Sequence, residues 1–182
     1  MKVEQIIATT EGQELVFNGA TLLSIEEYEK YKIQIPAVNY WWWLRSPGNF
    51  QDYAAGVCLD GSASHIGRRV YYSNYGVRPV LKIKNFQSSN LKIGDEFIIK
   101  DVKFTVISEN YAITNDIICN RGFDKKTNIY EKSEIKQFVD DWFKKNIIWQ
   151  RNKIYKMFDY IYNETKEAKS WKLIKYYEQP NL

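Results

Sequence analysis

The chain reads as a compact, loop-rich α+β fold, and three observations predict it. Short stretches of loose apolar alternation recur at 3–10, 14–18, 76–84, 96–100 and 103–108, the period-two pattern of half-buried strands. One later stretch instead places Ile135, Phe138, Val139, Trp142 and Phe143 at i, i+3, i+4, i+7 and i+8, the apolar stripe of an amphipathic helix. Between these, residues 38–73 are rich in Gly, Ser, Asn and aromatics, which suits loops joined by short strands.

Taken in order, 3–10 and 14–18 flank Gly12 and read as a hairpin. Ser24-Ile25-Glu26-Glu27 is a capping box, in which the serine and the glutamate three residues on satisfy each other's backbone N–H groups. It predicts a short helix to about Tyr31, and Pro36 ends anything helical. Short strands are expected at 55–59 and 68–72, and 76–84 reads as one closing strand through Val77, Val80, Leu81 and Ile83. Residues 85–90 are polar and aperiodic, a linker. Next comes a tight hairpin, 96–100 and 103–108 around Asp101, with a further short strand within 111–119. Ser133 is an N-cap for the helix above. A second amphipathic helix is expected over 151–169, with Ile154, Met157, Phe158, Ile161 and Tyr162 on one face, and 171–177 as a strand or extended arm.

Composition excludes several classes. The chain of 182 residues is 45% hydrophobic and 26% charged, an ordinary globular balance rather than a disordered one. It has no run of about 18 apolar residues, so no membrane span is expected. The opening Met1-Lys2-Val3-Glu4-Gln5 makes a poor signal peptide. A cytoplasmic location follows as the expectation. Cys58 and Cys119 lack metal-ligand spacing, and there is a single histidine, so neither a zinc site nor a disulfide is expected. The sequence contains no P-loop, GxSxG or HExxH, and no metal or cofactor is expected. Charge is uneven: 121–175 carries 14 Lys and Arg against 8 Asp and Glu, and the remainder 12 against 14. A basic, Tyr- and Trp-bearing C-terminal third suits either nucleic-acid contact or a solvated pair of helices.

The most telling segment is Trp41-Trp42-Trp43-Leu44-Arg45-Ser46-Pro47-Gly48, followed later by Tyr75-Gly76-Val77-Arg78-Pro79-Val80-Leu81. Three consecutive tryptophans cannot share a face, so the segment must be accommodated on at least two sides. With Leu22-Leu23-Ser24-Ile25-Glu26-Glu27, these motifs resemble the C-terminal half of an uncharacterised bacterial domain family. The arrangement is similar to the C-type-lectin-like fold of formylglycine-generating enzymes and phage variable receptor proteins. Leu91-Lys92-Ile93-Gly94-Asp95-Glu96-Phe97, Lys103 to Ile107 and the Asn128 to Phe143 segment resemble that family's beginning. The resemblance implies swapped halves, either a circular permutation of one domain or the tail of one copy fused to the head of another: 1–84 as the family's C-terminal half, 85–90 as linker, 91–147 as its N-terminal half, and 148–182 as a basic extension. Cys58 and Cys119 match no catalytic motif of the formylglycine-generating enzymes, so their activity does not carry over.

At the level of the whole chain, the length, permuted organisation and Lys-, Asn-, Ile- and Tyr-rich composition resemble the small type II-A anti-CRISPR proteins of mobile elements. That resemblance implies inhibition of Cas9, with Cas9 and its guide RNA as partners and loss of guide-RNA integrity as one mode. The alternative is a non-enzymatic lectin-like module that binds a sugar, peptide or protein surface.

Candidate site residues follow from these readings. His65, beside Arg68 and Arg69 in a Gly- and Ser-rich stretch, is the candidate general base for metal-independent RNA cleavage. The arginines would stabilise the phosphate. The plainer reading is an exposed loop histidine. Tyr71, Tyr72 and Tyr75 offer stacking rings beside those cations, as single-stranded RNA binding requires, though alternate tyrosines can equally face a core. Lys144, Lys145, Arg151, Lys153 and Lys156 would form a basic patch across the joint of the two helices, or simply a solvated face. Arg45 and Arg78 are expected to hold loops together through buried carboxylates or carbonyls, with Asp52 and Asp60 as partners.

Overall fold

A computed structural model of the chain describes residues 7–10, 13–88 and 91–148. The expected second helix, the 171–177 tail, and Arg151, Lys153 and Lys156 lie outside the described residues. The fold is α+β. Its strands are β1 (Ile7–Thr10), β2 (Gln13–Thr21), β3 (Trp42–Pro47), β4 (Tyr53–Val57), β5 (Ala63–Arg69), β6 (Gly76–Val77), β7 (Val80–Ile83), β8 (Glu96–Ile99), β9 (Val102–Ser108), β10 (Tyr111–Thr114) and β11 (Cys119–Asn120). The helices are α1 (Ile25–Tyr31) and α2 (Glu134–Phe143), the latter running into a π-helical turn, Lys144–Ile148.

Two sheets form. One has the order β1-β2-β7-β10-β9-β8 and is antiparallel throughout. The other has the order β11-β6-β3-β4-β5 and contains one parallel contact, Trp42 opposite Gly76. The first sheet mixes strands from both sides of the 85–90 segment, whose Phe86–Ser88 forms a 3-10 turn. Leu81 of β7 pairs with Ala112 of β10, and Cys119 of β11 with Val77 of β6.

The tryptophan run explains how these strands are packed. Successive side chains on a strand point to opposite faces, and β3 obeys this. Trp43 enters a core with Phe17, Leu22, Val77, Leu81, Phe97, Phe104, Phe123, Ile135 and Val139. Trp42 enters a second core with Leu23, Tyr28, Leu44, Val57, Val80, Ile107 and Ile113. Trp41 sits half-buried on the Trp43 side, against Tyr75. The same alternation splits Leu22 from Leu23, Val80 from Leu81 and Ala112 from Ile113. The strand layer therefore has a core on each side. α2 covers one through Ile135, Val139 and Phe143, and α1 covers the other through Ile25 and Tyr28. Each fully buried tryptophan removes enough apolar surface to contribute roughly 4–6 kcal/mol as an upper bound.

Both helix starts match their sequence signals. Ser24 and Glu27 exchange side-chain-to-backbone hydrogen bonds as a complete capping box, and the Ser133 hydroxyl accepts from the Lys136 N–H. Several strand boundaries differ from expectation: β3 falls where no strand was expected, β2 runs on to Thr21, and the short strand expected within 111–119 is two, β10 and β11, in different sheets. β4 begins two residues early, at Tyr53. β5 spans Ala63–Arg69, so Tyr71 and Tyr72 fall in a turn. The expected 76–84 strand is two strands in different sheets. The break falls at Arg78-Pro79, where proline has no N–H to continue a ladder.

Candidate functional site

β5 is the edge strand of its sheet. Its pairing with β4 is irregular, since Ala54 opposes Arg68 while Gly56 opposes Ser64. Gly67 absorbs the irregularity with φ +77°, and a Cβ there would lie 2.3 Å from the Ala54 carbonyl oxygen. Only glycine fits so close a backbone approach in that conformation. The bulge twists the edge and sets the register in which Tyr53 opposes Arg69.

Around that pair the side chains form a continuous row. The Arg69 guanidinium carbon lies 5.9 Å from the Tyr53 ring centre and 5.8 Å from that of Tyr71. Its Nη1 donates to the Tyr71 hydroxyl at 2.8 Å. The Tyr53 and Tyr71 hydroxyls hold this exposed guanidinium above its ordinary pKa. Tyr71 and Tyr72 meet edge to face at 5.3 Å, and Phe50 meets Tyr53 in the same way at 5.0 Å. Tyr71 and Tyr72 stay 49% and 42% exposed. Two backbone bonds fix the turn that presents them: Tyr72 N–H to the Arg69 carbonyl, and Val70 N–H to the Asp52 carbonyl. The product is an exposed cation flanked by aromatic faces on a sheet edge. Tyr53 and Phe50 were invisible as site residues in the sequence, because only the β4–β5 register brings them to Arg69.

Arg68 points the other way, as its neighbouring position on a strand requires. Its Nε donates to the Tyr75 hydroxyl at 3.1 Å, and its guanidinium lies over Trp41 at 5.5 Å. Arg68 and Arg69 therefore do not converge on one phosphate. Tyr75 follows the core alternative and not the stacking one. It is 6% exposed and stacks on Trp43 at 4.4 Å, so its ring belongs to the core and offers no face to a base. His65 is exposed on β5, and among the described residues its imidazole has no hydrogen-bond partner. A general base needs a group that orients it, and the described surroundings supply none. Among the described residues no three His, Cys, Asp or Glu side chains group as metal ligands.

The other cations are accounted for differently. Arg45 makes a two-pronged ion pair with Glu27 and donates to the Leu22 carbonyl. Its partner is the capping glutamate, not Asp52 or Asp60. Tyr111 donates to the same carboxylate at 3.0 Å. Half-burial opposes ionisation of Glu27, but the Arg45 bonds, the Ser24 N–H and the Tyr111 hydroxyl outweigh it and hold the carboxyl below its usual value. Arg78 is 1% exposed and donates to the Thr114 and Asn115 carbonyls at 3.0 Å, with Trp42 5.1 Å from its guanidinium carbon. Lys144 and Lys145 are exposed on the π-helical turn, with Lys144 3.4 Å from Asp141.

Among the described residues no helix is long and apolar enough to cross a membrane. Comparison with known proteins reaches the first half only. No curated protein matches the chain, and no solved structure does. Residues 5–85 match a family described as a domain of unknown function, DUF6273, a segment that holds β1 to β7, both signature motifs and the Arg69 row, and whose buried faces are completed here by strands and a helix from beyond it.

Proposed function

We propose that this protein acts by binding and not by catalysis, and that its target is single-stranded RNA presented by a protein complex, the guide RNA of Cas9. In this reading it is an anti-CRISPR inhibitor with a permuted lectin-like fold. The observation that carries it is the Arg69 guanidinium held between Tyr53 and Tyr71, with Tyr72 beside them on an open sheet edge. A fixed cation meets a phosphate, and exposed tyrosine faces stack bases, each stack contributing about 1–3 kcal/mol. His65 has no part in this reading, so the RNA stays intact.

Incubation of the protein with Cas9 and labelled guide RNA, read on a denaturing gel beside a DNA-cleavage assay, tests it. The expected result is blocked DNA cleavage with full-length RNA, and loss of the block in the double variant Tyr71→Ala, Tyr72→Ala. Unaffected DNA cleavage sinks the Cas9 reading. Shortened RNA sinks the non-catalytic one.

A second reading, recognition of a sugar, peptide or protein surface, is favoured by the exposed Phe50 and Ile66 on the same edge. Salt separates the two. Phosphate contacts weaken steeply as salt rises, whereas an apolar or sugar contact changes little.

A further inference from the structure

The row around Arg69 occupies one face of β5, and the other face carries a second cation set in a similar way. Arg68 is exposed at the neighbouring position. Its guanidinium carbon lies 5.5 Å from the centre of the half-buried Trp41 ring, and its Nε donates to the Tyr75 hydroxyl at 3.1 Å. A guanidinium over an indole face at an exposed site gains about 0.5–1 kcal/mol, and the Tyr75 bond gives that attraction a direction. Tyr75 is buried, stacks on Trp43 at 4.4 Å and meets Trp41 at 5.8 Å. Arg68 is thus hydrogen-bonded to a ring of the core while its own side chain stays exposed.

No carboxylate neutralises it. Arg45, Lys103 and Lys136 each have a carboxylate within ion-pair distance, but among the described residues Arg68 has none. Its Nε is engaged by Tyr75, and among the described residues Nη1 and Nη2 have no hydrogen-bond partner. Those terminal donors suit a two-pronged, charge-assisted contact with phosphate oxygens.

Arg68 and Arg69 leave adjacent positions toward opposite faces, so one phosphate cannot reach both. A single strand that crosses the β5 edge can meet both, because its charges repeat along a flexible backbone. β5 is terminal in its sheet and pairs with β4 alone among the described strands, so no further strand of the sheet bars the crossing.

We infer that Arg68 is a second phosphate contact, and that bound RNA passes over the β5 edge from the Tyr53–Arg69–Tyr71 row to the Arg68–Trp41 pair. This path presupposes the RNA reading above and narrows its partner to an unpaired strand long enough to place different phosphates on the two faces.

The test measures binding of a fluorescein-labelled oligouridylate of about eight nucleotides to the full chain by anisotropy, over a series of salt concentrations. Each phosphate contact to a single strand adds about 0.7 to the slope of log affinity against log salt. Arg68→Gln and Arg69→Gln should each lower that slope by about 0.7, and the double variant by about 1.4. Arg68→Lys should restore most of the slope, since it returns the charge without the fork. Lys82→Gln, at an exposed position of β7 in the other sheet, should leave it unchanged. A slope that responds to only one of the two arginines overturns the crossing, and where that one is Arg69 the RNA reading stands. A slope that neither arginine moves, or no binding of the oligomer, overturns both. Failure of Arg68→Lys to restore the slope, or an equal loss in Lys82→Gln, also overturns the crossing, the first by making Arg68 structural and the second by making the attraction general.

Discussion

The Tyr130 hydroxyl accepts a hydrogen bond from the Leu22 backbone N–H at 3.2 Å, joining positions 108 residues apart. Thr21 Oγ1 approaches the same oxygen at 3.4 Å. Burial pushes the Tyr130 hydroxyl up to about 12 from its usual 10. A group whose folded pKa is raised stabilises fully below its unfolded pKa and loses that contribution as pH climbs to the folded value. Tyr130 therefore withdraws stability between about pH 10 and 12. Tyr130→Phe is expected to cost about 1–3 kcal/mol at neutral pH, because a buried N–H loses its acceptor. It should also flatten the alkaline fall in stability. Urea unfolding of both proteins at neutral pH and above pH 10 measures each effect.

That hydrogen bond is one of many ties between the two parts of the chain. Phe17 stacks on Phe97, which stacks on Phe104, at 5.7 and 5.3 Å, and Trp43 Nε1 donates to the Arg121 carbonyl at 2.9 Å. Neither part buries its own apolar faces. Cutting the chain near Ser88 should thus leave an associated, folded pair, while fragments 1–88 and 89–182 alone give collapsed NMR spectra. Dispersed spectra from both isolated fragments would contradict a shared core.

Local signals in the sequence translated well into structure, and non-local ones did not. The capping box at Ser24 was legible because its partner sits three residues away. The two-sided burial of Trp42 and Trp43 follows from strand geometry alone. β5 was misplaced because the Gly67 bulge breaks the alternation that marks a strand. β6 and β7 merged in the reading because Val77, Val80, Leu81 and Ile83 carry apolar character straight across Arg78-Pro79. Glu27 was legible as a cap, but its pairing with Arg45 depends on how β3 crosses α1. Tyr75 and Tyr71 are the same residue type four positions apart, and only the Trp43 stack tells the core ring from the surface one.

Glu27 makes a sharper test of the Arg45 anchor. Its carboxyl is held below its usual value in the folded chain, from a reference of 4.5. Its contribution is fully present above about pH 4.5 and is lost as pH falls through the lower folded value. Glu27→Gln removes the charge from a half-buried pair and leaves Arg45 with a neutral partner. Charge-assisted bonds of this kind contribute about 1.5–3 kcal/mol, so a loss of that order is expected at pH 7. The variant and the parent should converge in stability toward pH 3, and chemical denaturation at the two pH values checks it. A gap as wide at pH 3 as at pH 7 would mean that the carboxylate charge is irrelevant to this anchor.

Gly67→Ala separates the edge strand from the core. At φ +77° an L side chain is strained by about 1–3 kcal/mol, and the new Cβ would meet the Ala54 carbonyl at 2.3 Å. That oxygen belongs to backbone, so relief requires β5 to move away from β4. The Tyr53–Arg69 register then breaks, and with it the geometry that holds Arg69 between two rings. The cores around Trp42 and Trp43 draw on β4 through Ala54, Ala55 and Val57 and on β5 only through the partly buried Ala63, while their other partners lie chiefly on β2, β7, β9, β10 and both helices. Hydrogen exchange should thus accelerate across 63–69 while amides of 104–107 keep their protection, and RNA binding should fall with the edge. Equal loss of protection in both segments would make β5 part of the cooperative core, and unaltered binding would move the recognition surface away from Arg69.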